Sequence, residues 1–178
     1  MNNIIETDRL ILRKFKIEDS DDCMGFLSDR ETCYLDGGYE PFLKKDDRFS
    51  KLIENFEKQN GRIMIELKNE HKVIGTLFIR DSAFRVVKSV EIGYCISPQY
   101  RRCGYASEAI QVIIQYLLQF CDIQLISAKA YEHNVASIQL LENLGFKYEG
   151  KLHKAFQYPG REPEDLVCYY YEKENLCI

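Results

Sequence analysis

The stretch Val90-Glu91-Ile92-Gly93-Tyr94-Cys95-Ile96, followed at once by Ser97-Pro98-Gln99-Tyr100-Arg101-Arg102-Cys103-Gly104-Tyr105-Ala106, decides how this chain is read. Its first part is rich in β-branched and aromatic side chains and stops before Pro98, the pattern of a strand. Beyond the turn, Ala106, Ala109, Ile110, Ile113, Ile114 and Leu117 recur at helical spacing. A strand therefore hands over to a helix through a short turn that carries Arg101, Arg102 and Gly104. The first N–H groups of a helix lack internal acceptors and sit at the positive end of its dipole, so phosphate oxygens bind there. Gly104 and Ala106 give such oxygens room, and the two arginines add charge-assisted donors. The same residues also suit an ordinary solvated strand-to-helix turn, and the hexapeptide alone does not choose between the two. It lacks the glycines of a dinucleotide fingerprint and the Gly-Lys-Ser/Thr of a P-loop, which sets those folds aside.

Working outward, Arg9 to Phe15 reads as a first strand, and Asp19-Ser20-Asp21-Asp22 opens a short helix with Cys23, Met24, Phe26 and Leu27 on its apolar face. After the loop Gly37-Gly38-Tyr39-Glu40-Pro41, the spacing of Phe42, Phe49, Leu52, Ile53 and Phe56 predicts a second amphipathic helix ending near Gly61. Arg62 to Leu67 and Lys72 to Arg80 form a hairpin pattern around Lys68-Asn69-Glu70-His71, and Val90 to Ile96 extends that meander. A helix over Gly104 to Phe120 leads to a strand over Gln124 to Tyr131, a strand-helix-strand unit whose strands should run parallel. Asn134 caps a further helix that stops at Gly145-Phe146, and Phe146 to Gly150 and Leu166 to Glu172 supply two closing strands. Tyr169-Tyr170-Tyr171 reads as alternating sheet packing. The whole is a mixed α/β domain.

The 178 residues suffice for one domain with its own core, read as residues 1–178 with the core over about 9–172. Hydrophobic residues at 46% and charged residues at 29% describe a soluble globular chain, not a disordered one. A net charge of −4 argues against generic nucleic-acid binding and suits a cationic amine substrate better. The seven cysteines, from Cys23 to Cys177, are scattered without a Cys-x-x-Cys pair, as expected of reduced thiols in a cytoplasm. His71, His133 and His153 do not sit at ligand spacing, so no metal is expected. Met1 to Glu6 does not read as a secretory leader, and no stretch reads as a membrane span.

Four features then fall in order: the strand ending at Ile96, the turn Arg101 to Ala106, Asn134-x-x-Ser137, and Glu142-Asn143-Leu144-Gly145-Phe146. This order resembles the GCN5-related N-acetyltransferases (GNAT), most nearly the branch that acetylates ribosomal-protein amino termini. The similarity runs from Thr7-Asp8-Arg9-Leu10 through Asp165-Leu166-Val167-Cys168-Tyr169. It implies a twisted, mostly antiparallel mixed sheet of about six to seven strands flanked by about four helices.

The resemblance also implies a site. Backbone N–H groups of Arg101, Arg102, Cys103, Gly104, Tyr105 and Ala106 would hold the pyrophosphate of acetyl-coenzyme A. Backbone groups at Cys95 and Ile96 would meet the pantetheine amides, and Asn134 would contact the pantetheine arm or thioester end. Glu91, through a water, resembles the family's general base, and apolar flanks would raise its carboxyl pKa toward neutrality. The tyrosine acid of many members is replaced by Leu141, which leaves Ser137 as the nearby hydroxyl for the thiol end. The implied reaction is direct acetyl transfer to a primary amine in a ternary complex. Its acceptor is a protein N-terminus or a small molecule such as a polyamine, amino acid or aminoglycoside. Leu141 also keeps open a non-catalytic acyl-coenzyme A sensor. The protein is expected to be a monomer or homodimer without nucleic-acid or membrane partners.

Overall fold

The computed structural model describes residues 4–82, 85–158 and 160–172. Met1 to Asn3 and Cys177 lie outside the described residues. Among the described residues eight strands form a sheet in the order β1-β2-β3-β4-β5-β6-β8-β7, accompanied by five α-helices. The strands are β1 (Ile5–Glu6), β2 (Leu10–Arg13), β3 (Arg62–Leu67), β4 (Lys72–Asp81), β5 (Ser89–Ile96), β6 (Leu125–Tyr131), β7 (Lys147–Phe156) and β8 (Glu164–Glu172). The helices are α1 (Ser20–Leu27), α2 (Arg30–Leu35), α3 (Asp47–Lys58), α4 (Tyr105–Phe120) and α5 (Val135–Asn143). The mixed α/β class and the dominance of antiparallel pairing match expectation, with one strand and one helix more than the upper counts read from the sequence.

The described residues pack as two compact units, one within Met1–Phe78 and Tyr94–Ala109, the other within Ile79–Gly93 and Ile110–Ile178. In the first unit β2, β3 and β4 pair antiparallel, with a register shift at Ile65/Glu66. Phe26, Leu27, Phe49, Ile53 and Phe56 from the helices bury against Met64, Val73 and Cys95 of the strands. Each such large side chain contributes roughly 1.5–3 kcal/mol of apolar burial.

Local chemistry sets the helix starts. Asp46 accepts hydrogen bonds from the Arg48 and Phe49 N–H groups, so α3 begins after this cap. Phe42, expected on the helix, precedes it and donates its backbone N–H to Leu27 O at 2.8 Å. Asp29 caps α2 by accepting from Thr32 N at 2.8 Å, a helix too short to show a period in the sequence.

In the second unit β5 and β6 run parallel, with Glu91 opposite Ser127 and Ile92 opposite Ala128. β8 pairs antiparallel with both β6 and β7. β7 is longer than the sequence pattern suggests because its register shifts twice against β8, so strict alternation never develops. Ile92, Ile126, Ala128 and Leu141 are buried on the apolar side of this unit. Tyr169 is buried and donates its hydroxyl to Glu142 at 2.9 Å, and the Tyr148 ring meets it edge-on at 5.7 Å. Tyr169 thus serves sheet packing. The six described cysteines are free, and no helix among the described residues is long and apolar enough to cross a membrane.

Candidate functional site

The turn between β5 and α4 lies in the first unit. Arg102 has φ +59° and Gly104 φ +81°, two left-handed residues separated by one. Backbone of this kind lines up successive N–H groups into an anion-binding concavity. The first helical bond of α4 runs from Glu108 N to Gly104 O at 3.0 Å, so the N–H groups of Tyr105, Ala106 and Ser107 have no intrahelical acceptor. Gly104 is needed here, because its positive φ strains any L side chain and an added Cβ would lie 3.3 Å from Arg9 Nη2. The turn therefore fits the pyrophosphate of coenzyme A by its backbone.

The two arginines diverge. Arg101 donates to Glu31 at 2.6 Å, to Thr32 Oγ1 at 2.6 Å and to Ile96 O at 3.3 Å. It braces the turn against α2, where the sequence reading made it a phosphate donor. Arg102 is exposed. Cys103 is exposed as well, and its thiol donates to Arg101 O at 3.4 Å.

A residue the sequence reading passed over stands beside the turn. Arg9 Nη1 donates to Cys103 O at 2.9 Å, Arg9 Nε donates to Glu108 Oε2 at 2.6 Å, and the guanidinium lies 4.6 Å from the centre of the Tyr105 ring. Thr7 Oγ1 also donates to Glu108. Burial works against the charge of Glu108, yet the bonds from Thr7 and Arg9 hold its carboxyl below the usual range.

Cys95 and Ile96 close β5 and are both buried. Gly75 on β4 lets this end of β5 come close: a Cβ there would sit 2.3 Å from Cys95 O. The Cys95 thiol is pushed well above its ordinary pKa by burial and hydrogen-bonds Asp36. Tyr39 donates its hydroxyl to Asp36 at 3.1 Å. Burial raises the Asp36 carboxyl to about 6, with Arg62, Tyr39 and Cys95 partly offsetting it.

In the second unit Glu91 is 7% exposed. Its carboxylate accepts from Lys129 Nζ at 2.7 Å and from Arg80 Nε at 3.1 Å, with Arg80 Nη2 closing a second bond. The expected rise in its pKa is corrected here. Burial does push upward, but the bonds from Lys129 and Arg80 prevail and the carboxyl lies below its ordinary range. The parallel register puts Glu91 beside Ser127, two residues before Lys129 on the same face. A cavity of ≈ 520 Å³ opens there, with Arg80, Arg85, Glu91, Lys129, Glu149 and Lys151 among its walls. Arg85 donates to Glu149 at 2.5 Å and Lys151 to Glu132 at 2.7 Å, so Glu91 and Glu149 are both paired with cations, while Asp81 is the third carboxylate among the walls.

Asn134 caps α5, its Oδ1 accepting from Ser137 N at 3.1 Å. Leu141, at the position where many relatives of the resembled family carry tyrosine, is fully buried. Among the described residues no group of three or more His, Cys, Asp or Glu is arranged to hold a metal ion.

Residues 9–147 match the family model of the acetyltransferase (GNAT) domain. The chain is 33% identical over 172 residues to the uncharacterized N-acetyltransferase YoaA of Bacillus subtilis, covering 93% of this chain and 94% of that one. Solved structures share the fold, among them the following three. An acetyltransferase (GNAT family) from Bacillus anthracis superposes with TM-score 0.83 at 24% identity, over 96% of this chain and 98% of that one. The ribosomal-protein-S5-alanine acetyltransferase of Vibrio fischeri gives 0.73 at 21% identity, over 97% and 98%. Spermidine N-acetyltransferase of Vibrio cholerae, in complex with CoA and spermine, gives 0.76 at 22% identity, over 93% and 96%.

Proposed function

The chain belongs to the acetyltransferase (GNAT) family, and from that membership we propose that it moves an acetyl group from acetyl-coenzyme A to the amino terminus of a protein. Transfer is direct, in a ternary complex, by a single acetyltransferase domain. The observation that carries the donor half is the left-handed turn at Arg102 and Gly104 opening α4. Its backbone N–H groups from Arg102 to Ala106 would hold the pyrophosphate, whereas the Arg101 N–H, expected to join them, donates to Pro98 O at 3.2 Å. Cys95 and Ile96 would offer backbone groups to the pantetheine amides. Asn134, whose Oδ1 is engaged by Ser137 N, keeps its side-chain NH₂ for a carbonyl of the arm. Acetyl-coenzyme A supplies the activated acyl group.

The residues divide the remaining work by their charge states. Arg80 and Lys129 keep Glu91 ionised and lower its basicity, so it would act by orienting and polarising the water that carries the acceptor's proton away. Ser137 offers a hydroxyl to the departing thiolate, a group that needs little help because a thiol ionises near pH ~8.5. Fixing donor and amine together supplies much of the rate.

The acceptor class is supported by charge balance in the second unit's cavity. A polyamine carries several positive charges and needs surplus carboxylates, whereas among the cavity walls Asp81, Glu91 and Glu149 are outnumbered by Arg80, Arg85, Lys129 and Lys151, and Glu91 and Glu149 are each paired with neighbouring cations. A peptide amino terminus, with one ammonium and neutral amides behind it, matches that balance better. Structural neighbours span both classes, a ribosomal-protein acetyltransferase and a spermidine acetyltransferase. A thiol-release assay with short peptides, spermidine, amino acids and an aminoglycoside tests the assignment. Peptides are expected to give the highest kcat/KM. A preference for spermidine overturns the acceptor, and tight coenzyme A binding without release on any amine favours a sensor.

A further inference from the structure

Glu108 stands in the first turn of α4, the helix whose start is read as the pyrophosphate cradle. A carboxylate at a helix N-terminus is normally favourable, but beside a bound pyrophosphate it adds like-charge repulsion. The chain meets this problem from far away in sequence. Thr7 Oγ1 and Arg9 N both donate to Glu108 Oε1, while Arg9 Nε and Nη2 each stand 2.6 Å from Oε2. The remaining arm of the same guanidinium holds Cys103 O at 2.9 Å. That carbonyl and the Gly104 N–H belong to one trans peptide and point in opposite directions. Pinning the carbonyl therefore fixes the direction of the Gly104 N–H. The guanidinium also lies over the Tyr105 ring, which holds it in place from the helix side.

We propose that Arg9 is a positioning residue of the donor cradle: it neutralises Glu108 and orients the Cys103–Gly104 peptide so that the turn receives the pyrophosphate. The inference rests on the reading of the turn as the coenzyme A cradle. Arg9→Met is expected to weaken coenzyme A binding about tenfold in calorimetry and to raise the KM for acetyl-coenzyme A while the KM for the amine holds. Removing the orphaned charge as well, in Arg9→Met/Glu108→Gln, should restore affinity to within about threefold of wild type. Glu108→Gln alone should bind coenzyme A up to about threefold more tightly, and it keeps the proposal testable if Arg9→Met fails to fold. Gly104→Val separates the two layers of the argument. If Gly104→Val loses coenzyme A binding while Arg9→Met keeps it, the cradle stands and the role of Arg9 is rejected. If Gly104→Val binds as wild type, the cradle reading fails and takes this inference with it. A double variant as weak as Arg9→Met, or a weakened Glu108→Gln, rejects charge neutralisation.

Discussion

Lys129 Nζ stands 2.7 Å from Glu91 Oε2, across the parallel pairing of β5 and β6. That bond, with the two from Arg80, sets the protonation of a carboxylate that burial alone would push the other way. A carboxyl lowered in this manner stays ionised down to pH values below its ordinary 4.5. Activity that needs its ionised form therefore persists in mild acid and is lost as pH falls through the lowered pKa. Lys129→Met removes one of the opposing cations and is expected to move the acid limb of kcat/KM to higher pH. Glu91→Gln should lower kcat by about 10²-fold, the low end of the range for acid–base catalysis and in keeping with a carboxylate of lowered basicity. Both are read from a pH–rate profile, and an unchanged profile in Glu91→Gln would remove Glu91 from the proton path.

Arg13 forms a bidentate pair with Asp19, both bonds at 2.7 Å, and donates its Nε to Glu66. All three residues are buried in the first unit. Arg13→Met leaves two carboxylates without their shared cation, a change that typically costs about 3–5 kcal/mol. Urea denaturation should show that loss as a lower midpoint with an unchanged slope. A loss below about 1 kcal/mol, typical of an exposed pair, contradicts the buried triad.

The elements most legible in the sequence are those with their own period or punctuation. The hairpin around Lys68 to His71, the β5-turn-α4 passage and the Asn134 cap all announce themselves within a few residues. α2 escapes because six residues cannot show a helical period, and β1 because two residues cannot alternate. At the site, Gly104 is legible as a small residue at a helix start, whereas its partner Arg9 is bonded to residues 94 and 99 positions away. The position of Glu91 on the strand is legible in the sequence, but its charge state depends on Arg80 and Lys129, 11 and 38 residues distant. Only the sheet register brings those cations to it. The bonds of the Arg101 guanidinium are illegible for the same reason: its partners Glu31 and Thr32 belong to the short helix that shows no period.

Gly75 meets the end of β5 so closely that a Cβ would lie 2.3 Å from Cys95 O and 2.9 Å from Ile96 Cδ1. The first neighbour is backbone and cannot swing aside, so Gly75→Ala must push β4 and β5 apart. The expected cost is about 1–3 kcal/mol by analogy with overpacked cores. Because Cys95 and Ile96 are the strand positions proposed to meet the pantetheine amides, coenzyme A affinity should fall with stability. Equal stability and affinity in Gly75→Ala would show that the close approach is dispensable.

Asp36 carries the opposite sign to Glu91. Burial raises its carboxyl from 3.8 to about 6, and the charge of Arg62 with the bonds from Tyr39 and Cys95 only partly offsets this. Between those two values the folded protein keeps a proton that the unfolded chain has released, so stability falls as pH rises through that window. Above it the full penalty of a buried anion is present. Asp36→Asn retains an oxygen for the Tyr39 hydroxyl and carries no charge to desolvate. It should therefore stabilise the protein by roughly 2–3 kcal/mol at neutral pH, from a shift of about two units at 1.36 kcal/mol each. The gain should shrink as pH drops and vanish below about pH 4, where Asp36 is protonated in both states. Denaturation midpoints of the two proteins measured across pH 4 to 8 test the sign directly. A variant less stable than wild type at pH 8 would mean that the ionised carboxylate is held by its neighbours after all.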